Sequence, residues 1–210
     1  MSGLGLDTAN RSQGFEPIPA GTSVELVMKI KPGNVGIDGL CKRSSKGDSE
    51  GLDVEYVVKG GKHDKRKLYA FHLLDGTTAG HAKAGEITRS LLRAIFEAVH
   101  AIDPNDNSSE AISRRASVSL ADFNGATFVA ELGIERGGQK QDGGAYPDKN
   151  IIGKVLRVGD KNYRKLDQPP AAPIERSTPP TATASTANGS PAVALTAIAK
   201  PGWARDHGQA

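Results

Sequence analysis

The sequence predicts a mainly β domain organised round one amphipathic helix, and three observations predict it. Thr22–Ile30, Leu52–Val58 and Arg66–Leu74 alternate their side chains with the period of two that a half-buried strand requires. Ala84–Ala101, AGEITRSLLRAIFEAVHA, then carries Ile87, Leu91, Leu92, Ile95, Phe96 and Val99 on one stripe of a 3.6-residue repeat, with no proline to interrupt it. Two more strand-like stretches follow, Ala126–Ile134 and Ile151–Val158. Strand, strand, strand, helix, strand, strand is the order of the OB-fold, here expected as a five-stranded antiparallel barrel with the helix between strands three and four.

Each element has its local reason. Met1–Gly14 lacks periodicity and reads as a flexible arm. Phe15–Gly21, FEPIPAG, is a stiff lead-in in which two prolines hold φ. The first strand sets Val24, Leu26, Met28 and Ile30 on one face and Glu25, Val27 and Lys29 on the other. Lys31–Gly51 breaks the pattern with Pro32-Gly33, Gly36, Asp38-Gly39 and Lys46-Gly47 and reads as a long loop. Leu52, Val54, Tyr56 and Val58 point inward on the second strand, and Gly60-Gly61 turns the chain. The third strand is apolar on both faces, Leu68, Ala70, His72 and Leu74 against Tyr69, Phe71 and Leu73, so its core side stays open. After the helix, Asp103–Asn107 is a turn cluster, and Ser108 or Ser109 caps a shorter helix reaching about Leu120. Glu135–Asn150, with four glycines, is the second long loop. From residue 169 to 199 Pro, Ala, Thr and Ser dominate, which predicts a disordered tail over 169–210 with Trp203 near its end. The folded domain is thereby expected over 15–168.

Composition narrows the function classes. The 210 residues carry 27 Lys plus Arg against 24 Asp plus Glu, a net charge of +3, so the placement of the cations matters more than their sum. One cysteine, Cys41, excludes an intrachain disulfide and a zinc site built from cysteines. The polar start lacks an apolar signal core and no stretch is long and apolar enough to span a bilayer, so a soluble, cytoplasmic protein with no membrane partner is expected. His63, His72, His81 and His100 lack ligand spacing, and neither a P-loop nor a nucleophile elbow occurs. The expectation is therefore a protein that is not an enzyme and holds no metal or cofactor.

In an OB-fold, ligands lie along strands two and three between the loops joining strands one to two and four to five. The first loop brings Lys42, Arg43 and Lys46, and the second brings Arg136, Lys140 and Lys149. The intervening turn adds Lys65, Arg66 and Lys67, beside Lys59 and Lys62. A groove that tracks a phosphate backbone needs such cations, and Tyr69, Phe71 and Tyr146 are the candidate stacking platforms. These residues predict a non-sequence-specific binder of single-stranded DNA, with a non-catalytic protein-binding scaffold on the same barrel as the alternative. Trp203 is the candidate anchor for a replication or recombination partner, and the oligomeric state, homo-oligomer included, is open.

FEPIPAG at 15–21, RKLYAFHLLDG at 66–76, AIDPND at 101–106 and DKNIIGKVL at 148–156 give residues 15–166 a resemblance. The stretch is similar to a family of small phage and mobile-element proteins encoded beside replication or recombination genes. The resemblance implies a role in DNA metabolism as a single-strand-binding protein, and nothing about catalysis. The chain departs from bacterial single-strand-binding proteins at its end, GWARDHGQA, where they carry an acidic, apolar tip.

Overall fold

The computed structural model describes residues 16–140 and 143–166. The arm expected over 1–14, Phe15 and the tail expected over 169–210 with Trp203 lie outside the described residues. Among the described residues the fold is mainly β, with six strands: β1 Ser23–Lys31, β2 Lys42–Arg43, β3 Ser49–Lys59, β4 Lys67–Gly76, β5 Thr127–Glu135 and β6 Lys149–Val155. Helix α1 is Ala79–His100 and α2 is Ser109–Ala116, with single 3-10 turns at Ile37–Gly39 and Leu120–Phe123.

All pairings are antiparallel and make one open sheet. The long strands run β4, β3, β1, β5, β6 across it. The two-residue β2, unanticipated in the long loop, pairs Lys42 and Arg43 with Gly51 and Glu50. Because β4 already takes the other side of those two residues, β2 prolongs the β1 side of β3.

The alternation read from the sequence becomes the core. Val24, Leu26, Met28 and Ile30 of β1, Leu52, Val54, Tyr56 and Val58 of β3, and Phe128, Ala130 and Leu132 of β5 are all buried. The ambiguous β4 turns Leu68 into this core, with Ala70 and Leu74 packed against it, and leaves Tyr69 and Phe71 exposed.

Helix α1 begins five residues before the expected Ala84, capped by Thr78, whose hydroxyl accepts from the His81 N–H. It packs on β4, burying Leu92, Ile95 and Phe96. Ile87, the first residue of the expected stripe, is instead 63% exposed, and Gly85 and Thr88 face inward. The cause is a close approach: a Cβ on Gly85 would stand 2.5 Å from the Leu74 carbonyl oxygen. Where the helix meets the sheet that tightly, only glycine fits.

A closed five-stranded barrel does not form. The outer edges of β4 and β6 share no ladder. Between them side chains line a cavity of about 230 Å³, among them Tyr69, Phe71 and His72 from one edge and Lys149, Asn150 and Ile151 from the other. The lead-in segment binds both sides of this gap. The Ile18 N–H donates to Asn150 Oδ1 at 2.8 Å, Asn150 Nδ2 donates to the Ile18 carbonyl at 2.7 Å, and Arg66 Nη2 donates to the Glu16 carbonyl at 2.8 Å. Side chains and the lead-in thus hold the place that the closing hydrogen bonds were expected to take.

The helices are joined by a buried charge. Glu97 of α1 is fully buried and accepts from Arg93 Nε at 2.8 Å, Arg115 Nε of α2 at 2.9 Å, and Arg157 Nη1, beyond β6, at 3.1 Å. Burial pushes its carboxyl up, but hydrogen bonds from Arg93 and Arg157 and the charges of Arg93 and Arg115 outweigh that and hold it below the usual range.

Candidate nucleic-acid interface

The outward positions of β4, β3 and β1 form one surface, and the strand register fixes its rows. Tyr69 stands opposite Glu55, which stands opposite Lys29. Phe71 stands opposite Asp53, which stands opposite Lys31. Lys67 and Val57 make the row on one side, and Leu73, Gly51 and Lys42 the row on the other. Tyr69 is 56% exposed and Phe71 is 46% exposed. A Cβ on Gly51 would lie 2.9 Å from Phe71 Cζ, so the glycine is what gives the ring room to lie over the neighbouring strand.

Cations surround the two rings. Lys31 Nζ is 4.7 Å from the Tyr69 ring centroid, a cation–π contact. Lys67 Nζ meets Glu55 at 3.1 Å, and Lys42 Nζ meets Asp53 at 3.0 Å. The Glu55 hydrogen bond raises the Lys67 pKa, which keeps that ammonium charged throughout the physiological range. Lys29, Lys31, Lys42 and Lys67 thus outnumber Asp53 and Glu55 on this surface. Phosphate can be met along its margins and bases over its rings.

The loop after β5 folds back as a hairpin, with Gln139 bridged to Ala145. The Tyr146 N–H donates to the Gly138 carbonyl, and the Gly137 N–H donates to Asp148 Oδ1 at 2.9 Å. Tyr146, a candidate stacking platform, is 57% exposed, with Lys140 Nζ 5.3 Å from its ring. Arg136 is exposed on the same hairpin and forms no ion pair among the described residues. Lys149 is held by Glu135 at 3.1 Å and also lines the cavity that reaches Tyr69.

The expected site residues are therefore only partly gathered. Lys42, Lys67 and Tyr69 share the outer surface, and Arg43 flanks it, bound to Glu50 at 2.7 Å. Lys46 and Lys65 are exposed in turns at opposite ends of β3, roughly 30 Å apart at about 3.3 Å per residue, so no single phosphate cluster spans them. Arg66 is turned to the lead-in segment. Arg136, Lys140 and Tyr146 form a second group on the hairpin. Lys29 and Lys31 are the cations that sequence reasoning missed. Alternation places them on the polar face of β1, but only the pairing with β3 sets them beside the aromatic rows.

Tyr56 and His72 line the cavity between the sheet edges, Oη and Nε2 2.9 Å apart. Burial raises the tyrosine pKa and lowers that of the histidine, so both stay uncharged near neutral pH. Among the described residues no group of three or more His, Cys, Asp or Glu is placed to hold a metal ion, and no helix is long and apolar enough to cross a membrane. No protein-family model matches the chain, and no curated protein matches it either.

Proposed function

We propose that this domain binds single-stranded nucleic acid across the outer surface of β4, β3 and β1, as an OB-fold-like module of phage or mobile-element DNA replication or recombination. One observation carries the reading: two exposed aromatic rings, Tyr69 and Phe71, sit on adjacent rows of a sheet surface bordered by Lys29, Lys31, Lys42 and Lys67. Stacked bases and neutralised phosphates are what such a surface is suited to hold. The strand path supports it as well. The OB-fold is a partly open Greek-key barrel that takes oligonucleotides on strands two and three, and those correspond here to β3 and β4. The hairpin with Tyr146, Arg136 and Lys140 corresponds to the loop between strands four and five of that fold. The DNA-metabolism setting comes from the four motifs quoted above, and catalysis forms no part of the proposal.

The test is fluorescence anisotropy of labelled oligo-dT, duplex and RNA at two salt concentrations. Oligo-dT is expected to bind at low salt, to weaken linearly in log[salt], and to bind better than a duplex of equal length, whose paired bases offer no faces to stack. Undetectable oligo-dT binding, or tighter duplex binding, removes the reading and leaves a protein-binding scaffold.

A further inference from the structure

On the helical side of the domain, two cavities of about 440 and 380 Å³ share Phe96 and Val118 as a common wall. Together they follow α1 from Arg89 to His100, about 16 Å at a rise of about 1.5 Å per residue, opposite the segment that ends α2 and leads to β5. The floor of the larger cavity is aliphatic and aromatic, with Leu92, Phe96, Leu120 and Phe123 presenting only their edges. At the larger cavity stands Ile37, 61% exposed.

The charge around this groove is one-sided. Arg89, Arg93 and Arg115 border the larger cavity, which has no carboxylate in its lining, and Arg114 and His100 border the smaller one with Asp122. The nearest buried carboxylate, Glu97, serves Arg93, Arg115 and Arg157 at once, so one negative charge faces three guanidinium groups. Arg89 makes no ion pair among the described residues and donates only to the Leu74 carbonyl, at 3.0 Å. Arg89 and Arg93 are also one helical turn apart, a like-charge spacing that costs a helix stability until an anion sits between them.

We infer that this groove docks an acidic, apolar peptide segment of a partner protein. Its apolar side chains enter the two cavities, and its carboxylates meet Arg89, Arg93 and Arg114. The larger cavity argues for peptide over nucleic acid, because aliphatic side chains and the edges of buried rings line it, with no exposed ring among them on which a base could stack. This inference does not rest on the nucleic-acid reading, since it uses none of the same residues.

The experiment uses the full chain and a fluorescein-labelled octapeptide, Asp-Leu-Asp-Phe-Asp-Leu-Asp-Phe, in anisotropy titrations. Two control peptides replace every aspartate by lysine or every apolar residue by serine. The acidic, apolar peptide is expected to bind at least about tenfold tighter than either control. Arg89→Glu and Ile37→Asp should each weaken it about fivefold or more, the threshold of a contributing interface residue. Both side chains are exposed, so neither substitution opens the core. Equal binding of the controls, indifference to both substitutions, or displacement of the peptide by oligo-dT would overturn the inference. Oligo-dT binding that survives both substitutions separates its failure from that of the sheet surface.

Discussion

Lys31 and Tyr69 belong to strands that do not pair, yet the lysine ammonium lies 4.7 Å from the tyrosine ring centroid, reaching across β3. The contact sets the ring beside a positive charge before any ligand arrives. A base stacking on Tyr69 leaves that ammonium next to the adjoining phosphate. Tyr69→Ala should therefore weaken oligo-dT binding by roughly 1–3 kcal/mol and leave the salt slope unchanged. Lys31→Ala should flatten the slope of log K against log[salt] by about 0.7 and weaken all sequences alike. Anisotropy titrations at four salt concentrations read both effects. A slope change on losing Tyr69, or none on losing Lys31, contradicts this arrangement.

The carboxylates in the middle of the surface make the opposite prediction. Glu55 and Asp53 hold Lys67 and Lys42, so phosphate must compete for those two cations. Changing Asp53→Asn and Glu55→Gln together should tighten oligo-dT binding and steepen the slope by about 1.4, two single-strand phosphate contacts. An unchanged slope would show that Lys42 and Lys67 meet no phosphate.

Phe96 is 8% exposed under α1 and Ile87 is 63% exposed on the same helix. Urea unfolding should show a loss of about 3–5 kcal/mol for Phe96→Ala. Ile87→Ala should stay within about 0.5 kcal/mol of the native chain. Equal losses would mean that the helix is rotated from the orientation described.

Glu97 ties stability to pH. Its carboxyl titrates below its ordinary 4.5, so the folded chain binds this proton less readily than the unfolded chain does. The stabilisation is fully present above 4.5 and is lost as pH falls through the lower folded value. Glu97→Ala leaves three guanidinium groups without their shared counter-charge and should cost about 3–5 kcal/mol near neutral pH. Glu97→Gln should lose less stability than the native chain between about pH 6 and pH 3, because it has no proton to take up there. Parallel acid losses in the two chains would place the acid sensitivity elsewhere.

Strand-like patterning located five of the six strands, and period-two alternation the faces of β1 and β3, because burial on one side of a sheet writes itself into adjacent residues. It failed on β4 for the reason that makes β4 interesting: Tyr69 and Phe71 are apolar and exposed, so both faces read alike. It missed β2, since two residues carry no period. The helix start was hidden because Gly80 and His81 give no stripe, and Ile87 was misplaced because the Gly85 contact with Leu74 is a property of two elements together. Pairing decided the site in the same way. Lys42, Arg43, Lys67 and Lys149 each looked like available charge, but each has a carboxylate partner across a strand pair. Register cannot be read from one strand.

The clasp between Ile18 and Asn150 joins residues 132 positions apart. On a ribosome the lead-in segment is therefore made first and must wait, its amide and carbonyl satisfied by water, until almost the whole domain has followed it out. A nascent chain that stops short of β6 has five strands that can pair and no means of holding the two sheet edges together. Contacts of such long range slow folding, because loop closure comes before its reward. Completion of this domain is thus timed by the emergence of one asparagine near its end, and that residue seals its beginning.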